Sequence, residues 1–311
     1  MPLDDLSPEW KYSFGGHETF SLRYGWLKKA ADFVSRDELI FSRDNALVSL
    51  GVGKNMVRAI RHWAVASGIL KEQTVPGSGT RGGLQVSDLG KALLLDQGWD
   101  PFFEDPASLW LIHWSLVSNL TRATVWYLSF TVYQETEFDK GGLVRFLKSR
   151  LKRVPVRVLD SVLEREVDCL ARTYAVVSRG RKQDSDQADC PLVDLSLLQT
   201  VDETGKTRFN IGPKDSLPAA VLGYALAEYF AHRGGSQRTF TVDECLYGPG
   251  SPGQAFKLDE ATFLDYLDQL ESLTNSAMKV SESAGNAQVF LQESVSKLEV
   301  LGAYYDQKRH R

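Results

Sequence analysis

The stretch Gly51-Val52-Gly53-Lys54-Asn55-Met56-Val57-Arg58-Ala59-Ile60-Arg61-His62-Trp63-Ala64-Val65-Ala66-Ser67-Gly68 decides how the first third of this chain is read. Two glycines frame a tight turn, and apolar residues then recur at three- and four-residue spacing. Val57, Ile60 and Ala64 share one face, with Trp63 beside them. A helix is expected from about Lys54 to Ser67, closed by Gly68, where a left-handed backbone is needed. Working outward, Ser42 is expected to cap a preceding helix that runs through Leu50. Leu47, Leu50 and Leu70 should then receive the apolar face of the second helix. Ile69-Leu70-Lys71 and Leu84-Gln85-Val86 read as the two strands of a ribbon, linked by Pro76-Gly77-Ser78-Gly79-Thr80-Arg81-Gly82-Gly83. Ser87 should cap a final helix from Asp88 to about Leu95. Helix, glycine turn, helix and ribbon form the order of a winged helix-turn-helix over about residues 37–97.

The outward face of the second helix then carries Lys54, Arg58, Arg61 and His62 along one stripe. Asn55 lies at the helix start, where recognition helices place the side chains that reach base edges. Arginine and asparagine are the side chains that bond bidentately to guanine and adenine. Thr80 and Arg81, on the linker, are placed to touch backbone phosphate. This pattern points to duplex DNA. The plainer reading is a module for protein contact or dimerisation whose basic stripe is merely solvated.

Charge is distributed unevenly. The 311 residues carry 36 basic and 40 acidic side chains, a net −4, which argues against a dedicated nucleic-acid coat protein. Between Asp44 and Asp88, however, Lys54, Arg58, Arg61, Lys71 and Arg81 face the single acid Glu72. Between Asp139 and Asp160 stand Lys140, Arg145, Lys148, Arg150, Lys152, Arg153 and Arg157, with no acid. Lys148, Arg150, Lys152 and Arg153 are candidates for secondary phosphate contacts, and a solvated helix face explains them equally well. From Asp243 to Asp306 the balance reverses, with Lys257, Lys279 and Lys297 against a large excess of acids. Such polarity suits a protein that offers one end to a polyanion and the other to a different partner.

A chain of this length, 43% hydrophobic and 24% charged, is expected to hold two domains or three small ones. Three segments are read: 1–97, containing the winged helix; 98–235, mostly helical; and 236–311, acidic. In the middle segment Leu109–Leu120, Leu143–Leu151, Val158–Ala171 and Pro218–Ala231 show helical spacing. A polar stretch at 179–189 reads as an exposed loop, and a hairpin is expected around Glu203-Thr204-Gly205-Lys206. The last segment should pass from a loop at Gly248–Gly253 to a helix at Asp259–Leu273. Two strand-like runs, Ala277–Ser281 and Gln288–Leu291, follow around a turn at Ala284-Gly285-Asn286. The expected class is mainly α with small β wings (α+β), and the C-terminal α/β module is open to a second winged-helix-like arrangement.

Other chemistry is weakly signalled. Cys169, Cys190 and Cys245 form no C-x-x-C pair, which argues against structural zinc and for a reducing compartment. No apolar run approaches the ~18 residues of a membrane span, and Met1-Pro2-Leu3-Asp4-Asp5 is acidic where a signal peptide is basic. A cytoplasmic protein with no membrane partner is expected. Gly51-Val52-Gly53-Lys54-Asn55 resembles the tail of a phosphate-binding loop, but Val48 and Asn55 occupy its first-glycine and hydroxyl positions. Gly248-Pro249-Gly250-Ser251-Pro252-Gly253 matches G-x-G-x-x-G literally, yet its prolines lack the amide donors such a loop needs, so a rigid turn is the better account. His17-Glu18 lacks the second histidine of a zinc-binding helix. Asp100, Glu104 and Asp105 have the donor chemistry for a metal, but flanking Pro101 and Pro106 fit a loop leading into a helix. Asp184, Asp186 and Asp189 lack the glycine and closing glutamate of a calcium loop.

Phe14-Gly15-Gly16-His17-Glu18-Thr19-Phe20 with Arg23-Tyr24-Gly25-Trp26-Leu27 is an unusually dense set of aromatic, small and charged residues, for which a buried hydrogen-bonded corner is the plain account. This opening resembles the bacterial family catalogued as domain of unknown function 4007. So does Asp100-Pro101-Phe102-Phe103-Glu104-Asp105-Pro106 leading into Leu109-Trp110-Leu111-Ile112-His113-Trp114, as do the stretches at Cys190-Pro191-Leu192 and Pro249–Gly253. The resemblance implies encoding beside DNA phosphorothioation and sulfur-transfer genes and ATPases in phage-defence islands. It carries over no catalytic residues. The expectation is a DNA-binding accessory or recognition subunit of a bacterial modification, restriction-modification or phage-defence system, without cofactor. Its expected partners are duplex DNA, a sulfur-transfer enzyme and an ATPase, with homodimerisation open. The rivals are a metal-dependent nuclease using His17, Glu18 or Asp100–Asp105, and a protein adaptor or transcriptional regulator.

Overall fold

The computed structural model describes residues 6–73, 82–176, 190–201, 204–234, 237–283, 286–292 and 296–309. Its N-terminal helical unit begins upstream of residue 37, with α1 (Trp26–Arg36). Trp26, Leu27, Ala30, Ala31 and Val34 form the buried stripe of α1, at the spacing of one helix face, and pack it on α3 (Lys54–Ala66). Between them lie a 3-10 turn at Ile40–Ser42 and the short α2 (Ala46–Leu50).

Ser42 therefore does not cap a helix. Arg43, whose side chain pairs with Asp37 through Nε at 2.6 Å and Nη2 at 3.1 Å, has extended backbone and interrupts any helix begun at Ser42. Because α2 starts at Ala46, its inner face carries Ala46 and Leu50 against Val57, while Leu47 is turned to solvent at 40% exposure. The turn after α2 uses Gly51 at φ +65°, a backbone that costs a residue with a Cβ roughly 1 kcal/mol or more. Gly68, at φ +69°, ends α3 as expected.

The expected ribbon forms, its first strand one residue later than read. β1 (Leu70–Glu72) pairs antiparallel with β2 (Leu84–Val86), Leu70 opposite Val86 and Glu72 opposite Leu84. The Leu84 amide also donates to the Glu38 carbonyl at 2.8 Å, so the segment after α1 lies along the ribbon's outer edge. The Ser87 hydroxyl accepts from the Gly90 amide and caps α4 (Asp88–Leu94).

The centre of the molecule is α5 (Pro106–Val117), apolar on every side and nearly wholly buried, as befits a helix surrounded by others. Around it stand α6 (Thr124–Tyr127), a π-helical turn at Leu128–Val132, α7 (Lys140–Leu151) and α8 (Asp160–Tyr174). A four-stranded sheet in the order β3-β6-β5-β4 joins β3 (Glu137–Phe138), β6 (Lys206–Phe209), β5 (Leu198–Val201) and β4 (Ala175–Val176). The hairpin expected near residue 204 is the antiparallel β5–β6 pair. The loop expected at 179–189 lies outside the described residues.

The middle segment ends with α9 (Ala219–Gly234), and the last contains β7 (Thr239–Thr241), α10 (Val242–Tyr247), α11 (Pro252–Phe256), α12 (Glu260–Leu273), β8 (Met278–Ser283), β9 (Asn286–Leu291) and α13 (Lys297–Arg309). The sheet order is β7-β9-β8. The expected loop at Gly248–Gly253 is only partly a loop: Ser251 caps Gln254, and Pro252 opens α11. Of the turn expected at 284–286, residues 284 and 285 lie outside the described residues. Helix α13 is absent from the sequence reading because its polar residues mask the buried trio Val300, Leu301 and Tyr305. The architecture is α+β, and one buried core runs from Leu6 through all segments to Tyr305. Among the described residues, no helix is long and apolar enough to cross a membrane.

Candidate nucleic-acid interface

Burial of Val57, Ile60, Trp63 and Ala64 fixes the rotation of α3, so the opposite side must face outward. Lys54, Asn55 and Arg58 are exposed there, and Arg61, one turn on, is partly exposed. Beside them opens a cleft of about 380 Å³ whose walls include Glu18, Glu38, Arg58, Arg61, His62 and Arg122. Its cations are not bare. Arg58 Nη1 donates to Glu18 Oε1 at 3.2 Å, and Arg61 Nη2 donates to Glu72 Oε1 at 2.7 Å. The second oxygen of Glu72 accepts from Arg122. Although partial burial raises the Glu72 pKa, the two guanidiniums outweigh it and hold the carboxyl below its ordinary range.

His62 departs from the expected stripe. Its ring turns toward the body, stacked edge-on to Trp63 with centroids 5.6 Å apart. Gly16 makes room for it: a Cβ there would fall 2.3 Å from His62 Nδ1. Burial, then the charges of His17, Arg122 and Arg61, push His62 down to about 3, so it brings no positive charge to a phosphate at neutral pH.

The segment that covers His62 is the aromatic-rich opening. Gly15, Glu18 and Thr19 all have positive φ (72°, 50° and 69°), which folds the chain into a knuckle over α3. Trp63 Nε1 donates to the Phe20 carbonyl at 3.1 Å and fastens it. His17, 1% exposed, lies 3.3 Å from Glu166 Oε1 of α8, and the Gly15 amide donates to the same oxygen. Burial opposes a charge on His17, but Cys169 and Glu166 outweigh it and raise its pKa. His17 is thus part of a buried hydrogen-bonded corner, whereas its neighbour Glu18 reaches the cleft.

The remaining sequence candidates fall elsewhere. Thr80 and Arg81 lie outside the described residues. In the second basic run, Lys148 pairs with Asp160 at 2.8 Å and Lys140 with Asp168 at 2.6 Å, both acids supplied by α8. Arg150 is partly buried, and Lys152 and Arg153 are exposed at the end of α7, which packs on α8. Asp100 is buried and already accepts from the Glu104 and Asp105 amides and the Ser108 hydroxyl. Asp105 caps α5 and pairs with Lys308 at 2.7 Å. These carboxylates anchor helices. Among the described residues, no group of three or more histidine, cysteine, aspartate or glutamate side chains could hold a metal ion.

Sequence reasoning missed Arg122 and Glu38. Each is a single charge outside α3, brought to the cleft by the packing of α1 on α3 and by the bond from Asn119, beyond α5, to the Ala66 carbonyl at the end of α3.

The model of the family described as "Protein of unknown function (DUF4007)" matches residues 14–305. None of the curated proteins matches the chain. Among solved structures, the chain is similar to one titled "Magnesium ion-bound SspB crystal structure", with TM-score 0.84, 29% identity, and coverage of 96% of this chain and 89% of that one. A second, titled "SspB crystal structure", has TM-score 0.83 at the same identity and coverage.

Proposed function

This chain belongs to the DUF4007 family, and from that premise we propose that it is a non-enzymatic DNA-binding subunit of a bacterial phosphorothioation-type modification or phage-defence system. The similarity to the SspB structures supports a place in such a system. The reading takes α1, α2, α3 and the β1–β2 ribbon as a winged helix whose α3 enters the major groove. The observation that carries it is the exposure of Lys54, Asn55 and Arg58 on the outer face of the second helix of a glycine-turned pair. Arg61 adds charge deeper in the adjoining cleft. A modest cationic footprint of this size predicts micromolar, strongly salt-dependent affinity for duplex DNA. The acidic C-terminal segment would then dock protein partners.

The test is duplex binding at two salt concentrations. The wild-type chain should bind more tightly at low salt, and the double variant Arg58→Ala with Arg61→Ala should lose most of that affinity. No binding at low salt, or none lost in the variant, overturns the reading.

A second reading has one observation in its favour: the SspB structure with bound magnesium. On it, Glu18, which of the sequence's metal candidates is the one that lines the cleft, would take part in metal-assisted phosphodiester cleavage. Magnesium-dependent nicking of plasmid that disappears in Glu18→Gln would establish it in place of the first.

A further inference from the structure

We propose that Arg61 and Arg122 form a two-arginine fork for one backbone phosphate of DNA, and that Glu72 occupies the fork in the free protein as an internal stand-in for that phosphate. The proposal rests on the DNA-binding reading above and adds to it a residue, Arg122, and a competitor, Glu72.

The geometry is that of a bridged anion. Glu72 gives one carboxylate oxygen to each guanidinium, Oε1 to Arg61 Nη2 at 2.7 Å and Oε2 to Arg122 Nη2. Two non-bridging phosphate oxygens present the same pair of acceptors, and planar guanidinium donors suit either anion. The three side chains come from separate elements: Arg61 from α3, Glu72 from the end of β1, and Arg122 from the turn between α5 and α6.

The backbones that carry the two arginines are tied together without Glu72. The Arg122 amide donates to Asn119 Oδ1 at 3.2 Å, and Asn119 Nδ2 donates to the Ala66 carbonyl at the end of α3, also at 3.2 Å. Asn119 therefore ties the backbone of Arg122 to the helix that carries Arg61. Glu72 is the member free to leave. It stands at the last residue of β1, and its side chain is 34% exposed, as is that of Arg61, with Arg122 at 46%. Exposed ion pairs of this kind contribute little to stability, so an incoming phosphate meets a weak competitor. With the carboxylate swung aside, the net charge of the fork rises from one to two.

The experiment uses the full chain and a short fluorescent duplex, titrated across a range of salt. Arg122→Ala should weaken binding about ten-fold at low salt and reduce the slope of log affinity against log salt by about one unit, the loss of one phosphate contact. Glu72→Gln should strengthen binding several-fold at unchanged melting temperature. Lys308→Ala, a cation bound to Asp105 away from the cleft, should change neither. If the wild type binds and Arg58→Ala weakens it, but Arg122→Ala and Glu72→Gln match the wild type, the fork is wrong and the DNA-binding reading stands. If Glu72→Gln weakens binding, Glu72 is a brace and the stand-in role falls. If the wild type binds no duplex at any salt, the fork falls together with the DNA-binding reading.

Discussion

The hydroxyl of Tyr305 sits 2.9 Å from that of Ser108, although 197 residues separate them in the chain. Ser108 in turn donates to buried Asp100, whose other bonds come from the Glu104 and Asp105 amides. One residue back, Tyr304 donates to Asp105 Oδ1 at 3.0 Å. The acidic loop ahead of α5 is thus the socket into which α13 plugs, which gives its carboxylates structural work.

Removing the centre of that socket should release the helix. Asp100→Ala leaves two backbone amides and a hydroxyl unpaired in a buried place and should cost roughly 2–5 kcal/mol. Tyr305→Phe should cost only about 1 kcal/mol. Urea unfolding measures both, and limited proteolysis should cut the C-terminal segment earlier in Asp100→Ala.

A methyl group at Gly16 should collide with His62, 2.3 Å from Nδ1. Gly16→Ala is expected to lose about 1–3 kcal/mol. The double variant Gly16→Ala with His62→Ala should recover part of that loss, because the colliding ring is gone. A double-mutant cycle in denaturant reads the coupling, and strict additivity of the two changes would rule out the contact.

Glu166 holds His17 and the Gly15 amide from inside the fold, with its side chain 4% exposed. Glu166→Ala should destabilise by about 3–5 kcal/mol, since it strands a buried charged partner and an amide. Glu166→Gln, which keeps an acceptor, should lose less. The order of the two unfolding midpoints is the check.

His113 is fully buried, with Nδ1 2.8 Å from the Tyr174 hydroxyl and Nε2 2.9 Å from the Ala255 carbonyl. Burial pushes its pKa down to about 3, against the Ala255 carbonyl and with help from Lys257. A base whose folded pKa is depressed contributes its stability above the unfolded value, about 6.5, and loses it as pH falls toward 3. At pH 5 the expected loss is about 2 kcal/mol. His113→Gln should be less stable at pH 7 but flatter from pH 7 to 5, as thermal melts across that range would show.

The sequence was sufficient for features that depend on near neighbours. The spacing of Val57, Ile60, Trp63 and Ala64 set the inner face of α3; Gly68 ended it; Ser87 capped α4; the two strands of the ribbon were legible to within a residue. A helix face or cap is decided within one or two turns, so local order contains it. Leu47 and Ser42 face other ways than read because the chain is extended at Arg43 and α2 starts only at Ala46, a break that no apolar periodicity signals. The electrostatics of the cleft lay beyond local reading altogether. The run from Lys140 to Arg157 holds no acid in sequence, yet α8 sets Asp160 and Asp168 against it. Arg61 looked like a free cation, yet the fold brings it Glu72 and, through Glu72, Arg122. Charge interactions act through space and are screened within about ten ångströms at physiological salt, so which cations stand bare and which are answered is settled only when distant segments pack together.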